Sequence, residues 1–297
     1  MKLDRHDPGA NGTVAAAAGD TRNFTRRIGS AVVLAPIVIA AAYLGGWVFL
    51  GLCTIAAGVV LWEWTSLAAR GTDLRVLVPG LAALVVAMAF LGQRQAGAAI
   101  GMIAIGTVLG GSAAAAWRRP HSTSNPAAWS AAGVVYAGLV LLGPAILRGD
   151  PQLGFAALLF LFATVWATDI FAYLVGRSVG GPLLWPALSP KKTWAGAIGG
   201  LVGGVAAGGL VAYASAGTGP VAAGVLGLVL SIVAQAGDLF ESAVKRRFGA
   251  KDASSLIPGH GGVMDRLDGF LVAAVVAALI GSLHQGMAAP AQGLLVW

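Results

Sequence analysis

The chain has 297 residues, of which 57% are hydrophobic and only 10% charged. An ordinary globular domain carries about 25% charged residues, so this one could not cover a water-facing surface and must use a bilayer as its solvent. The net charge of +7 does not indicate a nucleic-acid partner, because most basic residues sit at the ends of apolar runs. A single cysteine, Cys53, excludes an intramolecular disulfide and reads as a small packing residue.

In chain order, residues 1–25 are polar and small, without apolar periodicity, and are expected to form a disordered cytoplasmic tail. They do not read as a signal peptide, since the first apolar run opens a series of similar ones. A spanning helix needs about 20 mostly apolar residues. Segments near 28–43, 47–68, 76–92, 97–117 and 129–147 satisfy or approach this within an N-terminal transmembrane region, residues 26–150. Segments near 153–175, 194–214, 220–244 and 268–285 do so within a C-terminal catalytic region, residues 151–297. The expected fold class is therefore all-α, a polytopic membrane protein of about nine transmembrane helices with its N-terminus cytoplasmic.

Charge placement supports that layout. With nine alternating spans, all but Arg94 and Arg148 of the 19 basic residues fall on the cytoplasmic side. The C-terminal Gln285–Trp297 segment, without a charged side chain, is expected outside. In the seventh span Gly196, Gly200, Gly204 and Gly208 recur every fourth residue, with Gly199 and Gly203 alongside. Such a stripe reads first as close helix packing rather than ligand contact.

The acids mark the chemistry. Asp169 and Asp238 lie within spans, where an ionisable side chain costs several kcal/mol unless paired or wet. Asp238, Glu241, Ser242 and Lys245 occupy one helical face. An intrahelical Glu241–Lys245 pair accounts for two of them, leaving Glu241 between salt bridge and function; it does not account for Asp238. Residues 251–268 follow, Lys251-Asp252-Ala253-Ser254-Ser255-Leu256-Ile257-Pro258-Gly259-His260-Gly261-Gly262-Val263-Met264-Asp265-Arg266-Leu267-Asp268. Its proline and glycines preclude a regular helix and let backbone fold around a ligand. Asp265 and Asp268 then share one face of the last span, where the helix dipole also favours acids. Hard oxygen ligands beside Lys and Arg are what a magnesium–phosphate site requires. His260 reads equally as a base, a phosphate donor or a turn residue. Lys191 and Lys192, in Ser189-Pro190-Lys191-Lys192-Thr193, also suit ordinary positive-inside decoration. Trp62-Glu63-Trp64 suits an aromatic anchor at the inner end of the second span.

The run Ser242-x2-Lys245-Arg246-x4-Lys251-Asp252-x5-Pro258-Gly259-His260-Gly261-Gly262-x2-Asp265-Arg266-x-Asp268 resembles the signature of the phosphatidate cytidylyltransferases, also called CDP-diacylglycerol synthases. The Asp169 segment with Gly176-Arg177, the 189–193 stretch and Glu63-Trp64 resemble further blocks of that family, and the likeness covers about residues 28–285. It implies conversion of CTP and phosphatidic acid to CDP-diacylglycerol and pyrophosphate. It implies a magnesium cofactor, with a second cation left open, and metal ligation by Asp238, Asp265 and Asp268. Ser242, Lys245, Arg246, Lys251, Asp252, His260 and Arg266 would then be catalytic. Asp169, Arg177, Ser189, Lys191, Lys192 and Thr193 would bind substrate. A homodimer, membrane lipids as surroundings, no nucleic acid, and a multi-pass place in the cell membrane (a bacterial inner membrane) with the site facing the cytoplasm complete the implication. The chain departs from the pattern at Ala195, where the family commonly has glutamate, and at Gly180-Gly181-Pro182, where it often has basic residues. A CTP-dependent lipid-alcohol kinase would lack the His-Gly-Gly-x2-Asp-Arg spacing. A transporter would place its charges at the midplane rather than at one surface.

Overall fold

The computed structural model describes residues 32–69, 71–116, 125–257 and 261–297; the tail 1–25 and His260 lie outside them. Apart from its loops and turns, the described chain is helical except for one short hairpin and an isolated bridge between Ile257 and Gly261. Eight helices are long and apolar enough to cross a membrane: α2 Gly46–Ala69, α3 Leu74–Gly92, α4 Ala96–Ala116, α5 Pro126–Arg148, α6 Gly154–Val179, α7 Trp194–Ala216, α8 Pro220–Arg247 and α9 Met264–Gln285. A shorter apolar helix, α1 Val32–Leu44, precedes them and corresponds to the first expected span. The last helix, α10, is Pro290–Leu295.

Burial follows from the bilayer acting as solvent. α5 is the most enclosed span and packs on α2, α4 and α9, with Trp64, Leu61, Leu141, Phe160 and Leu158 fully inside. Large apolar side chains such as Ile55, Val108, Val202 and Leu283 stay exposed, as befits surfaces against lipid tails. The α1–α2 turn uses Gly45 at φ +64° and Gly46 at φ +50°, a left-handed backbone that glycine adopts without cost. Arg148 from the end of α5 donates to the last α1 carbonyls, Ala42 O at 2.5 Å and Tyr43 O at 3.0 Å. Arg148 and Arg94 also line one cavity of about 210 Å³ with Trp47, Phe49 and Leu50. The two basic residues that charge placement puts outside therefore line the same cavity.

The α7 glycine stripe is a packing device. A methyl group at Gly196 would stand 2.7 Å from Ala172 O, and one at Gly200 2.8 Å from Thr168 O. Backbone cannot retreat, so the stripe permits the close α6–α7 contact. On the same seam the Thr168 and Ser231 hydroxyls share a 2.7 Å hydrogen bond, joining α6 to α8.

Two elements lie between or beyond the expected spans. The 176–193 loop contains a two-stranded antiparallel hairpin, β1 Leu183–Trp185 with β2 Ser189–Thr193, pairing Leu183 with Thr193 and Trp185 with Ser189. In the C-terminal segment α10 packs against α9, with Ala291, Leu294 and Leu295 fully buried. Its apolar, uncharged sequence makes that burial favourable. Polar ties hold it: buried Asp150 accepts from Gln292 N at 3.0 Å, and His284 Nδ1 meets Gly293 O at 2.8 Å.

Candidate active site

Two helix ends and the hairpin converge at one end of the bundle. Asp238, Glu241, Ser242 and Lys245 follow one face of α8 over its last turns. Asp265, Arg266 and Asp268 occupy the first turns of α9. The helices can bring these together because they cross through glycines. A methyl at Gly237 would stand 2.7 Å from Asp268 O, and one at Gly269 2.9 Å from Ala234 O. The crossing point thus lies beside the acids themselves.

Oxygens of Asp238, Glu241 and Asp268 lie within 4.8 Å of one another. Lysines frame this trio. Lys192, carried by β2, pairs with Asp238. Lys245 pairs with Glu241 at 2.6 Å and with Asp265 at 2.5 Å. Glu241 is fully buried, and its Oε1 has no hydrogen-bond partner among the described residues. Three anionic carboxylates this close repel one another unless a cation intervenes. An all-oxygen donor set with an unclaimed buried oxygen suits a hard divalent ion such as magnesium.

The expected metal ligands are arranged unequally. Asp238 and Asp268 join the trio, while Asp265 turns elsewhere. Beyond Lys245, its Oδ2 accepts from Ala253 N at 2.9 Å and Gly262 N at 2.7 Å. Glu241, left open between salt bridge and function, pairs with Lys245 and also joins the trio. Tyr136 of α5, which no sequence signal marked, lies within electrostatic reach of Asp238, Glu241, Asp265 and Asp268 and stacks near Phe240.

The remaining candidates have varied settings. Asp169, on α6, interacts electrostatically with Asp238, Lys192 and Arg266. Arg177 lies outward on α6, hydrogen-bonded to Tyr173 Oη at 2.7 Å, and Lys191 is exposed on the hairpin. Thr193 caps α7, its hydroxyl accepting from Gly196 N at 3.1 Å; Ser189 anchors the hairpin register. Arg246 closes the end of α8 by donating to Ala250 O at 2.9 Å. Lys251 and Asp252 are exposed in the loop before α9, Arg266 is exposed at its start, and Ser242 is half-buried on the trio's face of α8. Ala195, half-buried in the first turn of α7, brings no carboxylate there.

Sequence comparison decides the family. The profile described as the cytidylyltransferase family matches residues 25–284. The chain belongs to the cytidylyltransferase family. Among its relatives, a protein of Brucella abortus named phosphatidate cytidylyltransferase is 44% identical over 263 residues, covering 88% of this chain and 94% of the relative. One of the same name from Brucella melitensis is 43% identical over the same length. A Mycobacterium leprae protein, also so named, is 46% identical over 127 residues, covering 43% of this chain and 41% of that one. The family match spans every helix end that contributes to the trio.

Proposed function

We propose that the chain is a phosphatidate cytidylyltransferase, joining CTP and phosphatidic acid into CDP-diacylglycerol with release of pyrophosphate. The observation that carries this reading is the carboxylate trio framed by Lys192 and Lys245 at one end of the bundle. A lipid phosphate oxygen attacks the α-phosphorus of CTP, the bond to the β-phosphate oxygen breaks, and pyrophosphate leaves with that electron pair. The nucleophile is already an anion, so a general base is dispensable. The demands are in-line placement and neutralisation of charge on nucleophile, transferred group and leaving group.

The proposed residue roles follow from position. Asp238, Glu241 and Asp268 would hold magnesium, which supplies neutralising charge to the phosphates when bound. Lys192 and Lys245 carry ammonium groups at the trio and receive phosphate oxygens. Lys191, Arg177 and Arg266 extend that positive surface outward, and Ser242 offers a hydroxyl donor from the trio's own helix face. Asp265 holds Lys245 and the loop amides in place. The test is pyrophosphate release by the purified protein. It is expected with CTP plus phosphatidate and magnesium, and absent when either substrate is omitted. Release without phosphatidate, or γ-phosphate transfer to a lipid alcohol, would overturn the reading.

We also propose that this end faces the cytoplasm, where CTP is found, because the basic residues concentrate there. In a Cys53→Ala background, Ser255→Cys, exposed in the loop before α9, should resist an impermeant maleimide in intact cells and react after permeabilisation. Ala288→Cys, exposed between α9 and α10, should react at once; Ala291 is buried and makes no reporter. Labelling of both positions in intact cells would refute the orientation.

A further inference from the structure

Glu63 sits near the inner end of α2, almost 200 residues before the loop that precedes α9, yet its carboxylate is fully buried against that loop. It accepts from Ser254 Oγ at 2.6 Å, Val263 N at 2.9 Å and Met264 N at 2.7 Å. A buried carboxylate is costly unless its oxygens are satisfied, and these three donors satisfy both. Val263 and Met264 lie at the α9 N-terminus, where the first amides of a helix lack intrahelical partners and the dipole favours an anion. Asp265 takes the amides of Gly262 and Ala253, so two carboxylates divide the loop's donors between them.

The approach is close enough to constrain the sequence. A methyl at Gly262 would stand 2.8 Å from Glu63 Cδ, so no side chain fits there while Glu63 keeps its place. Glu63 is itself held firmly. Its neighbour Trp64 is buried, donates Nε1–H to Trp129 O at 2.8 Å and packs against Tyr136. Ser254 and Val263, the two ends of the glycine-rich loop, thus close on one carboxylate fixed to the α2–α5 core.

We propose that Glu63 is a positioning residue for the reaction: through Ser254, Val263 and Met264 it sets where the loop, Asp265 and Asp268 stand relative to the acids of α8. The kinetic part of this inference rests on the cytidylyltransferase reading; the loop-ordering part does not.

The test uses full-length protein in detergent with Glu63→Gln and Ser254→Ala. Gln has one acceptor oxygen and an NH2 group, so a backbone amide of α9 loses its partner. A hydrogen bond to a charged group is worth enough to change a rate by about 10- to 100-fold. For Glu63→Gln, amides in 253–257 and 261–264 should exchange with deuterium about 10-fold faster, while those of α2 and α8 keep their protection. Its kcat should fall about 100-fold with the KM for CTP within about threefold. Ser254→Ala should show the same pattern at about 10-fold in kcat. Unchanged exchange in 253–257 and 261–264, a kcat within about twofold of wild type, an effect confined to KM, or faster exchange throughout the bundle would each overturn the proposal. If Glu63→Gln does not fold, Ser254→Ala decides by the same criteria. If the wild type releases no pyrophosphate, the functional reading fails instead, and the exchange experiment alone judges Glu63.

Discussion

Asp238→Asn is expected to lower turnover by at least about 100-fold while leaving membrane insertion and thermal stability close to wild type. Asp238 contributes one oxygen to the trio and holds Lys192 over it. The amide is the same size but carries no charge, so it is a poor ligand for a hard cation and gives Lys192 no anionic partner. The fold has little stake in the exchange, because Asp238 is half-buried and its carboxylate accepts no backbone hydrogen bond among the described residues. Steady-state pyrophosphate release at saturating magnesium, beside a melting curve in detergent, reads both effects. Retention of more than about a tenth of wild-type turnover would remove Asp238 from the essential set.

Asp265→Asn should behave differently, and the contrast separates the two acids. Its carboxylate pairs with Lys245 and accepts the amides of Ala253 and Gly262. Losing that charge leaves Lys245 with Glu241 alone and sets the new NH2 group against either Lys245 or both loop amides, which share one oxygen. Removing one partner of a buried ion pair costs about 3–5 kcal/mol. Turnover should therefore collapse by about 100-fold or more, as for Asp238→Asn. Unlike that variant, Asp265→Asn should also melt at least about 5 °C lower. A variant that loses activity but melts like wild type would mean that Asp265 contributes mainly as a metal ligand, the role implied by the family resemblance.

Much of this molecule is determined locally and can be read from the chain. Hydropathy over about 20 residues marks each span because lipid forces every apolar face outward or into a helix contact. The segments at 47–68, 76–92 and 194–214 accordingly lie within two residues of α2, α3 and α7 at each end. Helical periodicity likewise places Asp238, Glu241 and Lys245 on one face, since that needs only the rise and turn of a single helix. The α7 stripe, too, announces close packing without naming its partner.

Tertiary structure decided what depends on distant pairs. Residue spacing cannot tell that Asp265 turns to Lys245 and the loop amides while Glu241 completes the trio, because the choice is made by the α8–α9 crossing at Gly237 and Gly269. Nor can it reveal that Glu63, whose setting between two tryptophans suits an interfacial anchor, reaches the N-terminus of α9. The last span begins at Met264 rather than near 268, where Glu63 accepts the amides of Val263 and Met264 at its start. The hairpin at 183–193 and the buried α10 complete the list. Their segments are too short for periodicity to register, and their places are set by the helix ends they cover.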